Sequence, residues 1–124
     1  ETRVTITTEK LNYKTVGEAM PVYLTLYNPG AGREVELLIM LSYGGAPPVH
    51  YRGKLEYPGA KRAGDRWLLT LPANAVFFTK LMTPSFAAAA GLTEGAWHAA
   101  LMDAKTGKRV GDVSSIRFQL GGAK

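Results

Sequence analysis

The sequence predicts an all-β protein, an antiparallel β-sandwich of about seven to eight strands. Three observations carry this expectation. Several segments alternate apolar and polar residues with period 2, which places every second side chain on one face of a strand. The 14 glycines and 7 prolines punctuate those segments, as frequent turns require. The 124 residues are one domain's worth of chain, long enough for one core to hold the fold, so a single domain over residues 1–124 is expected.

The elements follow in order. Val4 and Ile6 alternate with Thr5 and Thr7 in a first strand, and Val22, Leu24 and Leu26 alternate with Tyr23, Thr25 and Tyr27 in a second. Asn28-Pro29-Gly30-Ala31-Gly32 ends the second, because proline presets φ for a turn and glycine accepts positive φ. Arg33 to Tyr43 is a third strand, with Val35, Leu37, Ile39 and Leu41 on one face and Glu34, Glu36, Leu38, Met40 and Ser42 on the other. After a break from Gly44 to Pro48, a shorter, more exposed strand is expected from His50 to Tyr57. A polar basic loop from Pro58 to Gly64 and a strand from Arg66 to Leu71, stopped by Pro72, come next.

Ala75 to Met82 reads as strand or irregular chain, and Phe86 to Ala90 is helix-prone, which allows one short helix near Pro84–Gly91. Beyond Gly95, Trp97, Ala99 and Leu101 alternate with His98, Ala100 and Met102. Asp103 to Lys108 connects a hairpin whose last strand carries Ile116, Phe118 and Leu120 on its apolar face. The expected core is Val22, Leu24, Leu26, Val35, Leu37, Ile39, Trp97, Leu101, Ile116 and Phe118. Trp67, directly before Leu68-Leu69, is expected to join it.

Composition bounds the function. With 46% hydrophobic and 20% charged residues the chain is neither disordered nor fibrous, and without cysteine it is neither a disulfide scaffold nor a zinc-thiolate site. No apolar run reaches the roughly 18 residues of a transmembrane segment. A start at Glu1, without an initiator Met, leans toward processing and export.

Gly17-Glu18, Asn28-Pro29-Gly30, Gly44-Gly45, Gly95-Ala96-Trp97 and Phe118 form a series of turn and core signals between Gly17 and Leu120. In that order they resemble the immunoglobulin-like β-sandwich modules of bacterial exported and surface proteins, including adhesion-related types. The stretch from Lys61 to Leu92 departs from the pattern. The resemblance implies an immunoglobulin-like sandwich, an extracellular, cell-surface or periplasmic location in a bacterium, and a non-catalytic structural or protein-interaction role. A subunit of a pilus-like or other surface filament is one form of that role.

Tests for chemistry return little. His50 and His98 have no second ligand at metal-binding spacing, and Gly30-Ala31-Gly32 leads into a strand where a phosphate cradle needs a helix N-terminus. Glu34 and Glu36 read as the solvated start of a strand face, and Asp103 and Asp112 lack the further oxygen ligands of a calcium loop. No catalytic residue, metal site or cofactor is expected, and the chain is read as not an enzyme.

The net charge of +5 admits an anionic partner. Arg52, Lys54, Lys61, Arg62 and Arg66 crowd the middle segment, and Lys105, Lys108 and Arg109 the last hairpin. No recognisable nucleic-acid module accompanies them, which argues against nucleic acid. A glycan-binding module is the alternative reading, its anionic or sugar contacts drawn from Tyr43, Tyr51, Arg52, Lys54, Lys61 and Arg62.

The sharpest expectation comes from a mismatch in two strands. If Val35, Leu37, Ile39 and Leu41 point inward with Trp97, Ala99 and Leu101, then Leu38, Met40, His98, Ala100 and Met102 point outward. In an immunoglobulin-like plan these strands are neighbours, so the outward residues merge into an apolar patch that soluble monomers rarely leave uncovered. Either the segment from Ala73 to Leu92 folds back over it, or a protein partner, neighbouring domain or subunit covers it.

Overall fold

A computed structural model describes residues 1–13, 19–43, 47–81 and 94–120, with the side chain of Tyr43 left out. Its strands are β1 (Arg3–Thr8), β2 (Asn12–Tyr13), β3 (Val22–Asn28), β4 (Arg33–Tyr43), β5 (Val49–His50), β6 (Lys61–Ala63), β7 (Arg66–Leu71), β8 (Ala75–Leu81), β9 (Glu94–Asp103) and β10 (Arg109–Leu120). Among the described residues there is no helix, and so none long and apolar enough to cross a membrane. The short helix expected near Pro84–Gly91 lies outside the described residues.

Two sheets build the fold, as the alternation predicts. The smaller runs β1-β3-β8 and the larger β2-β10-β9-β4-β7-β6, with β5 paired to β4. All pairs are antiparallel except β2 with β10. In the immunoglobulin plan strands A, B and E share one sheet and C, F and G the other. Here β1, β3 and β8 take the first set of places and β4, β9 and β10 the second, so the protein is an all-β, immunoglobulin-like sandwich.

Burial follows strand parity. Val22, Leu24 and Leu26 of β3, Val35, Leu37 and Ile39 of β4, and Trp97, Ala99 and Leu101 of β9 are buried, while the residues between them are not. Val4, Ile6, Tyr13, Met20, Leu41, Leu69, Leu71, Leu81, Phe118 and Leu120 belong to the same core, and Ile116 packs against it half-buried. At its centre the Tyr51 ring stacks on Trp67 at 5.7 Å and meets Trp97 edge-on at 6.1 Å. The Trp97 indole donates to Met20 Sδ over 3.3 Å.

Two local expectations are corrected. The strand expected from His50 to Tyr57 shrinks to Val49–His50, because Tyr51 turns into the core and its hydroxyl donates to the Lys54 carbonyl at 2.7 Å, folding the following residues into an irregular loop. A side chain on Gly53 would collide with the Tyr51 ring, so the glycine is required there. Within the loop expected from Pro58 to Gly64, Lys61–Ala63 forms β6, which hairpins onto β7 through Gly64 at φ 63°.

Candidate protein-interaction face

The outer face of the larger sheet is built where β4 and β9 pair. Their register sets Glu36 beside Met102, Leu38 beside Ala100, Met40 beside His98 and Ser42 beside Ala96. Directly opposed residues point to the same side of a sheet, and the alternate residues of both strands fill the core, so these four pairs face outward. β7 adds Leu68 opposite Glu36, and β5 adds His50 opposite Met40. Leu38, Met40, Leu68, Ala100 and Met102 are all half-buried. The five residues expected there, Leu38, Met40, His98, Ala100 and Met102, therefore share one face.

Polar groups border the apolar centre. His98 lies between two hydroxyls, with Nδ1 at 2.7 Å from Ser115 Oγ and Nε2 at 3.3 Å from Ser42 Oγ. A hydroxyl both donates and accepts, so either tautomer of the ring is satisfied. Arg66 donates to Glu36 at 3.1 Å on this face, whereas Arg33, which donates to Asp103 at 2.7 Å, shares the core-facing parity of Val35 and sits at the end of the sheet. The Arg33 hydrogen bond, with the Thr106 and Lys105 amides donating to the same carboxylate, lowers the Asp103 pKa to about 2. An apolar centre inside a hydrogen-bonding rim is the arrangement of a protein–protein contact.

The described part of the segment expected as internal cover goes elsewhere. β8 pairs with β3 along its whole length, Val22 to Asn28 against Leu81 to Ala75, in the smaller sheet. Phe77 packs on Tyr57 at 4.5 Å, Phe78 stacks on Tyr23 at 5.5 Å, and Leu81 is in the core. Met82 and Phe86 lie outside the described residues.

The residues expected to contact a glycan or anion do not assemble in the same way. Tyr51 is buried among the tryptophans and offers no ring face to a sugar. The backbone of Tyr43 pairs with Gly95, and its side chain is outside the description. Arg52 donates twice to Asp65 Oδ1, at 3.1 and 2.6 Å, and holds that carboxyl below its ordinary value. Arg62 donates to the Arg52 carbonyl at 2.8 Å, Lys54 lies 3.5 Å from Glu56, and Lys61 is exposed on β6. Much of this basic cluster is thus engaged within the chain. Among the described residues no three His, Asp or Glu side chains converge as a metal site would require.

Sequence reasoning missed Leu68 and His50 as members of the outer face. Leu68 was legible as the non-core member of a Leu-Leu pair. His50 was not, since only the pairing of β5 back onto the end of β4 sets it beside Met40.

No protein family matches the chain, and no curated protein does. Among solved structures it is similar to the sporulation control protein Spo0M of Bacillus subtilis, with a TM-score of 0.50 and 13% identity over 96% of this chain and 48% of that one. It is also similar to a β-glucuronidase of Bacteroides uniformis, with a TM-score of 0.48 and 10% identity over 94% of this chain and 12% of that one. A third likeness is to the ASH/PapD-like domain 7 of human CEP192, with a TM-score of 0.36 and 13% identity over 94% and 82% of the two chains. The chain spans less than half the length of the first two, and at these identities the likeness to Spo0M speaks for the fold alone.

Proposed function

We propose that the chain is a non-catalytic protein-interaction module of a bacterial extracellular or periplasmic protein, and that it packs the outer face of its larger sheet against a neighbouring domain or subunit. One observation carries this reading: the β4–β9 register that gathers Leu38, Met40, Ala100 and Met102 on a single face. An antiparallel sheet with one face in water alternates apolar and polar residues. β4 obeys that rule at Glu34 and Glu36 and breaks it at Leu38 and Met40, and β9 breaks it at Ala100 and Met102. β8 lies in the other sheet, so Ala75–Leu81 does not cover this face, and the reading assigns the cover to another chain or domain. Export rests on the resemblance carried by the turn signals, and a filament subunit would use the same face repeatedly. The glycan reading is weakened by the burial of Tyr51.

The test is the double variant Leu38→Lys with Met40→Lys, purified alone and placed in the intact parent protein. A native circular-dichroism spectrum combined with lost association between the module and its neighbour is the expected result. Loss of folding would show that the face is covered from within the chain and would overturn the reading.

A further inference from the structure

A second surface lies on the opposite sheet and is independent of the face above. Edge strands carry unpaired N–H and C=O groups, and natural proteins shorten, charge or cover them. Among the described residues, β1, β2 and β6 at the other sheet ends follow that rule. β1 is covered by β10, whose Ser114 hydroxyl accepts from the Ile6 amide at 3.0 Å and whose Gly111 backbone sits against Thr2. β2 has two residues, and β6 is short with Lys61 and Arg62.

β8 breaks the rule. It runs seven residues without Gly or Pro, and among the described residues β3 alone pairs with it. Its outward side chains are Val76, 66% exposed, Phe78, 62% exposed, and Lys80. A strand so rich in β-branched and aromatic residues is suited to pairing with another strand.

The geometry points to a second copy of this chain as the occupant, joined by antiparallel β8–β8 pairing about a two-fold axis through Phe78. The sequence of β8 is self-complementary in that register. Ala75 falls opposite the partner's Leu81, Val76 opposite the partner's Lys80, Phe77 opposite the partner's Thr79, and Phe78 opposite its own counterpart. Outward residues then meet outward residues, which a shift of one position would destroy. Lys80, the strand's single charge, faces Val76 rather than another lysine. Tyr23, already stacked on Phe78 at 18° between ring planes, extends the contact to a row of four rings. The smaller sheets of the two copies merge into one of six strands, and the pairing closes because each copy has one such edge.

Sedimentation velocity over a range of concentrations tests this on the whole chain. A reversible dimer is expected. Phe78→Lys places two ammonium groups together on the axis and raises the dissociation constant at least about tenfold, while the variant stays folded, its melting curve at low, monomeric concentration lowered only by the loss of the Tyr23 stack. Val76→Glu and Val76→Lys probe the register, since both are polar and differ only in their charge toward the partner's Lys80. The glutamate is expected to keep the dimer and make it salt-sensitive, the lysine to weaken it. A native chain that stays monomeric at its highest soluble concentration, equal effects of the two Val76 variants, or open-ended association overturns the proposal. So does a dimer lost in Leu38→Lys but kept in Phe78→Lys, which would assign self-association to the other sheet.

Discussion

Asn28 closes β3, and its side chain, 1% exposed, ties three separate parts of the chain together. Its Oδ1 accepts from the Thr2 hydroxyl at 2.9 Å and the Gly30 amide at 3.3 Å, and its Nδ2 donates to the carbonyls of Ala31 and Pro72, each at 2.9 Å. A side-chain amide has two donors and an oxygen with two lone pairs, so all of its capacity is used. Asn28→Ala deletes these bonds and leaves the partners to find water. At about 0.5–1.5 kcal/mol net per bond, and with three of the four partly buried, the expected destabilisation is about 2–4 kcal/mol. That is a large share of the roughly 5–15 kcal/mol that holds a domain folded. Urea unfolding followed by circular dichroism measures it. Asn28→Asp sharpens the test, since the shape is nearly kept while both donors become acceptors facing two carbonyl oxygens. It must cost at least as much as alanine. A loss under about 0.5 kcal/mol for both variants, or a milder effect for aspartate than for alanine, would refute the reasoning.

Further predictions follow from the core, a close approach and a charge. Trp97→Ala removes an indole that is 2% exposed and should destabilise by about 3–5 kcal/mol in the same urea assay. Gly95→Ala would set a methyl 2.8 Å from the Ser42 carbonyl oxygen and 2.5 Å from the Phe118 ring, so the β4–β9 pairing must shift; a loss of about 1–3 kcal/mol is expected, read from the melting curve. Asp103 has a folded pKa of about 2 against an ordinary 3.8, so the stability it contributes is complete above the ordinary value and is lost as pH falls toward the folded one. Between about pH 4 and pH 2 the Tm of Asp103→Asn should therefore fall less than that of the native chain, and parallel curves would contradict the Arg33–Asp103 assignment.

What the sequence could reveal was local. Strands β1, β3, β4 and β9 alternate because one face of each is buried, and that pattern survives without knowledge of any partner. The outer-face residues of β4 and β9 were legible for the same reason, as apolar residues at positions of the wrong parity. Most of the failures were non-local. Tyr51, Gly53, Leu55 and Tyr57 alternate like a strand, yet Tyr51 is drawn between Trp67 and Trp97, so the alternation reports burial without a ladder. β8 reads as a strand, but only its pairing with β3 decides which sheet it joins. Asn28 looked like a turn residue because its partners, Thr2 and Pro72, lie 26 residues before it and 44 after it. Lys61-Arg62-Ala63 is too short and too charged to declare itself, and becomes a strand through the turn at Gly64.

The central claim, that another chain or domain covers the outer face of the larger sheet, is tested most directly by methionine oxidation. Met40 and Met102 lie half-buried on that face, while Met20 is fully buried and serves as an internal control. Oxidation to the sulfoxide follows exposure and is read by peptide mass spectrometry. In the isolated chain, peroxide should oxidise Met40 and Met102 well before Met20. In the intact parent protein, treated within the cells that produce it, both should become as resistant as Met20. Oxidation of Met40 and Met102 at the same rate in the two settings would contradict the account.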